Sequence, residues 1–374
     1  MEATKFFNGV FNDLGKDVAT AMSRARLCIV QHITGNSVEF IKCLDRMFLD
    51  TTVFAKPRSI NRDIMEELTR HGIKVKTAMR DCNPVSHYLD GDTATPTVLC
   101  DIGGYFSTLA QIPNLPILGI VEDTENGQQK YEAVAGTLHY PVASVARSPL
   151  KEHEDRLVGE SIVNCTDKVL GEIGNTLRGR TAGVIGYGKV GAGIACGLKK
   201  KGIIPLVAEI NPLRMANAIK NDCRPVTSYR DVLHADAIFS ATGNKVLNYD
   251  DIKQLRGGPS ITTATSWEDE FNASLSWRTD FTHEQVAPHI TKMTREDKPK
   301  NYFHLINGGN PPNFLYDGTD MLTPAIYLVM AEIMANAGAM CQQKRLDTCI
   351  VDMGVNRDKI ARRWVGDFGS VIIE

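Results

Sequence analysis

The sequence predicts an α/β protein built of two doubly wound domains, and three observations predict it. The chain has 374 residues, more than one hydrophobic core organises comfortably. Its first 150 or so residues alternate short apolar runs with amphipathic stretches of helical period, the pattern of parallel strands covered by helices. From Thr181 onward a second series of the same kind begins, opened by a glycine-rich turn.

In the first domain, residues 27–31 form a short buried strand. Residues 37–47 form a helix carrying Val38, Phe40, Ile41, Leu44 and Met47 on its apolar side. Val53 and Phe54 begin a second strand, residues 62–71 a helix stopped by Gly72, and Val75 a third strand. Residues 97–100 run into Asp101-Ile102-Gly103-Gly104, and residues 117–121 into Glu122-Asp123. Residues 152–177 are amphipathic, with Leu157, Ile162, Val163, Val169, Leu170 and Ile173 on one side, and read as the helix that connects the domains.

The second series carries the most specific signal. Residues 181–185 are a strand, Gly186-Tyr187-Gly188-Lys189-Val190-Gly191 is a GxGxxG turn, and the helix after it ends before Gly202. A strand over 204–208 then finishes at Glu209-Ile210-Asn211. Strand, turn, helix, strand and acid in this order make a Rossmann dinucleotide site. Gly186 permits the tight turn, Gly188 lets main chain approach a pyrophosphate, and Gly191 lets helix pack on strand, while the helix N-terminus faces the negative charge. Glu209 accepts ribose hydroxyls and repels a 2′-phosphate, so NAD is expected rather than NADP, with Arg214 a small counterweight. Asn211-Pro212 caps the next helix. A strand over 236–240 leads into Thr242-Gly243-Asn244, at the end where nicotinamide-side loops lie, and residues 260–263 form a further strand. The expected division is residues 1–151 with 310–340 for a substrate domain, 152–309 for the Rossmann domain, and 341–374 as a C-terminal tail.

Composition narrows the partners. With a net charge of −2, no basic excess argues for nucleic acid or anionic lipid; a small-molecule substrate is expected. The nine cysteines are scattered singly, without CxxC pairs or metal-ligand spacing, and read as reduced thiols of a protein without a metal site. Lys5, Asp13 and Lys16 interrupt any signal-peptide core. The apolar stretch 322–340 contains Pro324 and Glu332, so it reads as a buried helix, not a membrane span. The expectation is a cytoplasmic homo-oligomer.

With these motifs the chain resembles S-adenosylhomocysteine hydrolase over residues 26–335. Gly-Tyr-Gly-Lys-Val-Gly, Ala-Glu-Ile-Asn-Pro and Ala-Thr-Gly-Asn follow that family's order and spacing, as does Asn307 in Leu-Ile-Asn-Gly, an asparagine that touches the cofactor near the nicotinamide. His32 and Thr34 match its His-x-Thr pair, Glu122-Asp123-Thr124 its acidic pair, and Lys151 and Asp155 a lysine and aspartate of its active site. The resemblance implies tightly held NAD that oxidises the 3′-hydroxyl of a nucleoside, acidifying the neighbouring C–H, and is reduced and reoxidised within one cycle. It makes Lys151 the group assisting proton transfer from the hydroxyl, Asp155 its orienter, and His32 an acid or base near the leaving group.

Departures are equally specific. The family's acid directly before Gly-Gly is Ile102; Asp101, one residue earlier, would point to the other face of a strand and replaces it only if the loop shifts. A loop histidine is Ser266, a Gly-His-Pro reads Asn310-Pro311-Pro312, an asparagine is Arg156, and the family's lysine-tyrosine tail has no match in 362–374. NAD binding and oxidation of a secondary alcohol are therefore expected, with an altered substrate or without the hydrolysis. Two alternatives stay open: an ordinary NAD-dependent dehydrogenase of the 2-hydroxyacid type, and a non-catalytic NAD-binding protein. Plainer roles are available too, His32 as a strand-end hydrogen-bonder and Lys151 with Asp155 as an i,i+4 surface pair.

Overall fold

The computed structural model describes residues 2–272, 279–316, 324–342 and 349–369. These form two compact units, Met1–Glu154 with Leu322–Glu374, and Asp155–Met321.

The first unit is built on a parallel sheet. Six strands come in sequence order: β1 (Arg26–Ile33), β2 (Asp50–Ile60), β3 (Lys74–Thr77), β4 (Thr97–Asp101), β5 (Ile117–Glu122) and β6 (Val142–Ser144). A short strand, Ile350–Val351, adds to β6. Across the sheet the order is the short strand, β6, β5, β4, β1, β2, β3. The chain walks outward from β1 to β3, then returns to the other side of β1 and walks outward again. That reversal makes β1 and β4 neighbours whose following loops diverge, which opens a crevice at their carboxyl ends. Helices cover the sheet, so β4 is buried along its whole length.

Residues expected as a tail take part in this unit. Beyond the short strand, the helix Arg357–Phe368 packs on the N-terminal helix Glu2–Leu14 through Phe368 and Phe6, ring centroids 5.5 Å apart. The stretch expected to be a buried helix over 322–340 is one from Ile326 to Gln342; Pro324 and Ala325 form a turn before it, and residues 322 and 323 lie outside the described ones. Residues 370–374 of the expected tail also lie outside them, as do 343–348. No described helix is long and apolar enough to cross a membrane.

The second unit repeats the plan. Its strands are β7 (Ala182–Ile185), β8 (Leu206–Ala208), β9 (Arg224–Pro225), β10 (Ala237–Ser240), β11 (Leu247–Asn248), β12 (Ser260–Thr263), β13 (Phe271–Asn272), β14 (Phe281–Ala287), β15 (Ile290–Arg295) and β16 (Tyr302–Ile306). β11 and β13 pair with each other; the rest make one sheet in the order β9, β8, β7, β10, β12, β16, β15, β14. Here β7 and β10 flank the reversal. β14 and β15 form an antiparallel hairpin onto β16 that the sequence reading lacked, because β14 is mostly solvent-facing and its residues carry no apolar alternation. The long helix Glu152–Gly171 packs closely on the helix Lys189–Lys200. Glycines permit it: a Cβ on Gly159 would lie 2.3 Å from the Val190 carbonyl oxygen, and one on Gly193 2.4 Å from that of Arg156.

Candidate functional site

In the second unit, the three glycines of the turn have three different surroundings. Gly186 has φ +92°, and a Cβ there would sit 2.8 Å from the Ala241 carbonyl oxygen. A Cβ on Gly191 would lie 2.0 Å from the Gly186 carbonyl oxygen. On Gly188 it would meet nothing nearer than Arg214 Nη1 at 3.9 Å. The outer glycines are thus required by packing, and the middle one leaves its main chain open to an approaching group. Gly188 is also the N-cap of the helix Lys189–Lys200 and offers no side-chain cap, so amides of Lys189, Val190 and Gly191 face a position where an anion is favoured.

Glu209, at the end of β8, accepts hydrogen bonds from the main-chain N–H of Tyr187 (2.6 Å) and Asn211 (2.7 Å). It thereby ties the glycine turn to the strand that should grip a ribose. Asn211 caps the helix Pro212–Lys220 by accepting from Leu213 and Arg214 N–H. Ile210 is fully exposed, an apolar side chain standing in water beside Glu209. An open main-chain cradle, an acid at the strand end and an apolar lip fit the two phosphates, a ribose and a flat base of NAD.

On the other side of the reversal, Thr242-Gly243-Asn244 follows β10. Its conformation is fixed by a residue the sequence reading missed. Glu270, with no exposed surface, accepts from Ser240 Oγ (2.7 Å), Thr242 N (3.2 Å), Thr242 Oγ1 (3.1 Å), Gly243 N (3.1 Å) and Thr265 Oγ1 (2.9 Å). Burial raises its carboxyl above the ordinary value; hydrogen bonds from Ser240, Thr265, Gly243 N and Thr242 N oppose that rise without cancelling it. Asn307, just past β16, has φ +49° and donates to the Pro311 carbonyl. Ser266, standing where the family has a histidine, donates to Asp269 in its own turn.

In the first unit the carboxyl ends of the parallel strands gather most of the remaining expected residues. His32 is the penultimate residue of β1, with Nδ1 2.6 Å from Ser59 Oγ on β2. Burial, with Lys56 and Lys151 nearby, holds its imidazole well below the usual value, so it is neutral. Thr34 follows in a turn closed by Ser37. Lys151, buried, stands in the turn after β6 and donates to Asp123 Oδ1 at 2.8 Å and to Glu154 Oε2 at 3.2 Å. Asp155, the expected orienter of Lys151, begins the second unit and pairs with Lys189 at 3.4 Å. Glu154 was not singled out, although its i,i+3 spacing from Lys151 was a usable signal.

Asp101 departs from its expected substrate role. Its buried carboxylate accepts from Tyr105 N (3.0 Å), Phe106 N (2.8 Å) and Tyr131 Oη (2.6 Å), so it is turned inward and braces the loop after β4. Ile102 is packed in the core among Phe54, Tyr88 and Phe106. Glu122, at the end of β5, accepts from Gly103 N and Gly104 N (3.0 Å each) and from Thr124 N and Oγ1 (2.7 Å each). Burial and the adjacent Asp101 push its carboxyl up to about 8. The Gly103 carbonyl in turn accepts from Arg80 (2.7 Å) and Lys130 (3.2 Å). A glycine loop braced by acids and ringed by cations therefore lies beside the His32–Lys151 group on the sheet edge.

Residues 159–309 match the model of the S-adenosyl-L-homocysteine hydrolase NAD-binding domain. The chain is 26% identical over 253 residues to the adenosylhomocysteinase of Sulfurisphaera tokodaii, covering 64% of this chain and 59% of that one. It is 26% identical over 265 residues to that of Thermotoga maritima, covering 68% and 65%. With Saccharolobus solfataricus the figures are 24% over 286 residues, 73% and 68%. The first two matches thus span less than two thirds of the relatives' length. Among solved structures, the dipicolinate synthase A chain of Bacillus subtilis superposes with a TM-score of 0.43 at 12% identity, covering 86% of this chain and 99% of that one; so loose a likeness says nothing of function.

Proposed function

We propose that this chain, which is similar to the adenosylhomocysteinases and matches the model of their NAD-binding domain over residues 159–309, oxidises a secondary alcohol of a nucleoside or related small molecule. NAD, when bound to the second unit, supplies the hydride acceptor. The observation that carries the reading is the buried Lys151 held by Asp123 and Glu154 on the same sheet edge as a neutral His32. The alcohol's proton moves onto Lys151 Nζ as one of the protons of Nζ moves onto Asp123 Oδ1, so the lysine relays charge without a net change. Neutral His32, one nitrogen engaged with Ser59, orients the substrate oxygen or takes a proton from it.

The usual elimination has less support. It needs a base at the position of Ile102, which is core, and Asp101 is occupied with its own loop. Oxidation without hydrolysis, or on an altered substrate, is the reading these residues favour.

To test it, the purified protein is denatured and its released nucleotide identified, and intact protein is mixed with adenosine and other nucleosides. Reduced-nicotinamide absorbance that stays with the protein supports the proposal. NADH released stoichiometrically into solution would instead mark an ordinary dehydrogenase. Bound NAD that no nucleoside or 2-hydroxy acid reduces would leave a non-catalytic binder.

A further inference from the structure

We infer that Glu270 is a positioning residue for the nicotinamide half of the cofactor, acting through the loop 242–244. A dinucleotide lies across the reversal of a doubly wound sheet, its adenosine half on the β7–β8 side and its other half toward β10. The loop after β10 is therefore the one that meets the second half, and its shape decides where amides and carbonyls point.

Left to itself that loop has little to define it. It is short, Gly243 is left-handed at φ +61°, and Asn244 is exposed. Glu270 supplies the definition from below. It takes two successive main-chain N–H groups, Thr242 and Gly243, and the Thr242 hydroxyl, while Ser240 and Thr265 anchor the carboxylate itself. Thr242 passes the constraint outward: its Oγ1 accepts from Asn244 N (3.2 Å) and its carbonyl from Asn244 Nδ2 (2.7 Å). A buried carboxylate thus orients an exposed amide through one threonine. Only a charged acceptor with two oxygens can serve so many donors at once. An uncharged Gln at the same position turns an N–H₂ toward groups that are themselves donors.

The role separates from simple folding by comparing two ligands that share the glycine turn. ADP occupies the adenosine and phosphate half only; NAD adds the half that the loop meets. In calorimetric titrations, Glu270→Gln is expected to leave ADP affinity within about twofold while weakening NAD about tenfold or more, one charge-assisted hydrogen bond's worth. Bound NADH fluorescence should shift toward that of free NADH. Should Glu270→Gln not fold, Thr242→Val, which keeps shape but removes the hydroxyl that joins Glu270 to the Asn244 N–H, is expected to give the same split at smaller size. Equal weakening of ADP and NAD, or of neither, would overturn the inference. A wild-type chain that bound ADP but not NAD would overturn the cofactor reading with it.

Discussion

Each unit carries a glycine loop after the fourth strand of its sheet, and each pins that loop with a buried glutamate from the fifth-strand side. In the second unit Glu270 collects five donors. In the first, Glu122 collects four but stands beside a second buried acid, Asp101. The same fold position thus holds a single buried acid in one unit and two adjacent buried acids in the other. The single acid shapes the loop 242–244, the role inferred above for the nicotinamide half of the cofactor. The paired acids brace a loop that Lys56, Arg80 and Lys130 approach at Gly103, next to the Lys151–Asp123 pair of the proposed proton transfer. On the proposed function the two crevices divide cofactor recognition from proton chemistry, and substitutions should divide the same way.

The largest effect is expected from Lys151→Met. It removes the proton relay of the first unit and leaves the second untouched, so turnover should fall about a hundredfold or more with NAD affinity unchanged by calorimetry. Loss of NAD binding in this variant would break the division. Gly191→Val is the mirror experiment. Its side chain would collide with the Gly186 carbonyl, and shifting that turn should weaken NAD by up to about a hundredfold, the equivalent of about 3 kcal/mol of overpacking. Hydrogen exchange at Gly103 and Gly104 in the first unit should not change.

The same contrast explains what the sequence disclosed. Main-chain recognition leaves a local record: Gly186, Gly188 and Gly191 at fixed spacing, with Glu209 at the next strand end, are legible because each residue's task depends on its immediate neighbours. The parallel strands were legible for the same reason, as apolar runs such as residues 27–30 and 98–100. Glu270 left no such record. Its partners lie 5 to 30 residues away, and a glutamate in Trp-Glu-Asp-Glu reads as a solvated turn until tertiary contacts show otherwise. Asp101 shows the converse. The sequence left Asp101 as a substitute for the family's acid only if its loop shifted, and the loop's geometry shows instead that Tyr105, Phe106 and Tyr131 occupy its carboxylate. The fold's sequential strand–helix units were readable, whereas the hairpin of β14 and β15 was not, because β14 is mostly solvent-facing and neither strand carries an apolar alternation.

Glu122 offers the next test. Its carboxyl is raised from an ordinary 4.5 to about 8 by burial and Asp101, so between those values the folded chain keeps a proton that the unfolded chain has released. Stability must then fall as pH rises through that window, and the loss is complete above about 8; below 4.5 both states are protonated and nothing is lost. The slope can reach about 1.4 kcal/mol per pH unit, a tenfold change in the folding constant. Urea midpoints from pH 5 to 8.5, with exchange of the Gly103 and Gly104 amides as the local readout, should show the decline, and Glu122→Gln should make it shallower, the rest coming from the other raised carboxyls, Asp101, Glu270 and Glu332. A midpoint that rises over this range would remove the distinction between the two glutamates.

The smallest expected effect uses two isoleucines at strand ends. Ile102 follows β4 and is buried among aromatic rings; Ile210 follows β8 and is fully exposed. Burial alone says that shortening the first costs stability, about 2–5 kcal/mol for Ile102→Ala, while Ile210 contributes nothing to the fold. An exposed isoleucine is common enough to need no reason, yet this one stands beside Glu209 on the rim where the adenine of NAD would lie. Covering part of its side chain is worth at most about 1 kcal/mol by area. Ile210→Ser should therefore weaken ADP and NAD equally, by about three- to fivefold, with the melting temperature unchanged. Equal weakening would locate the effect in the shared adenosine half, away from the loop that Glu270 governs. A change confined to NAD would mean that the two halves of the cofactor lie the other way across the sheet.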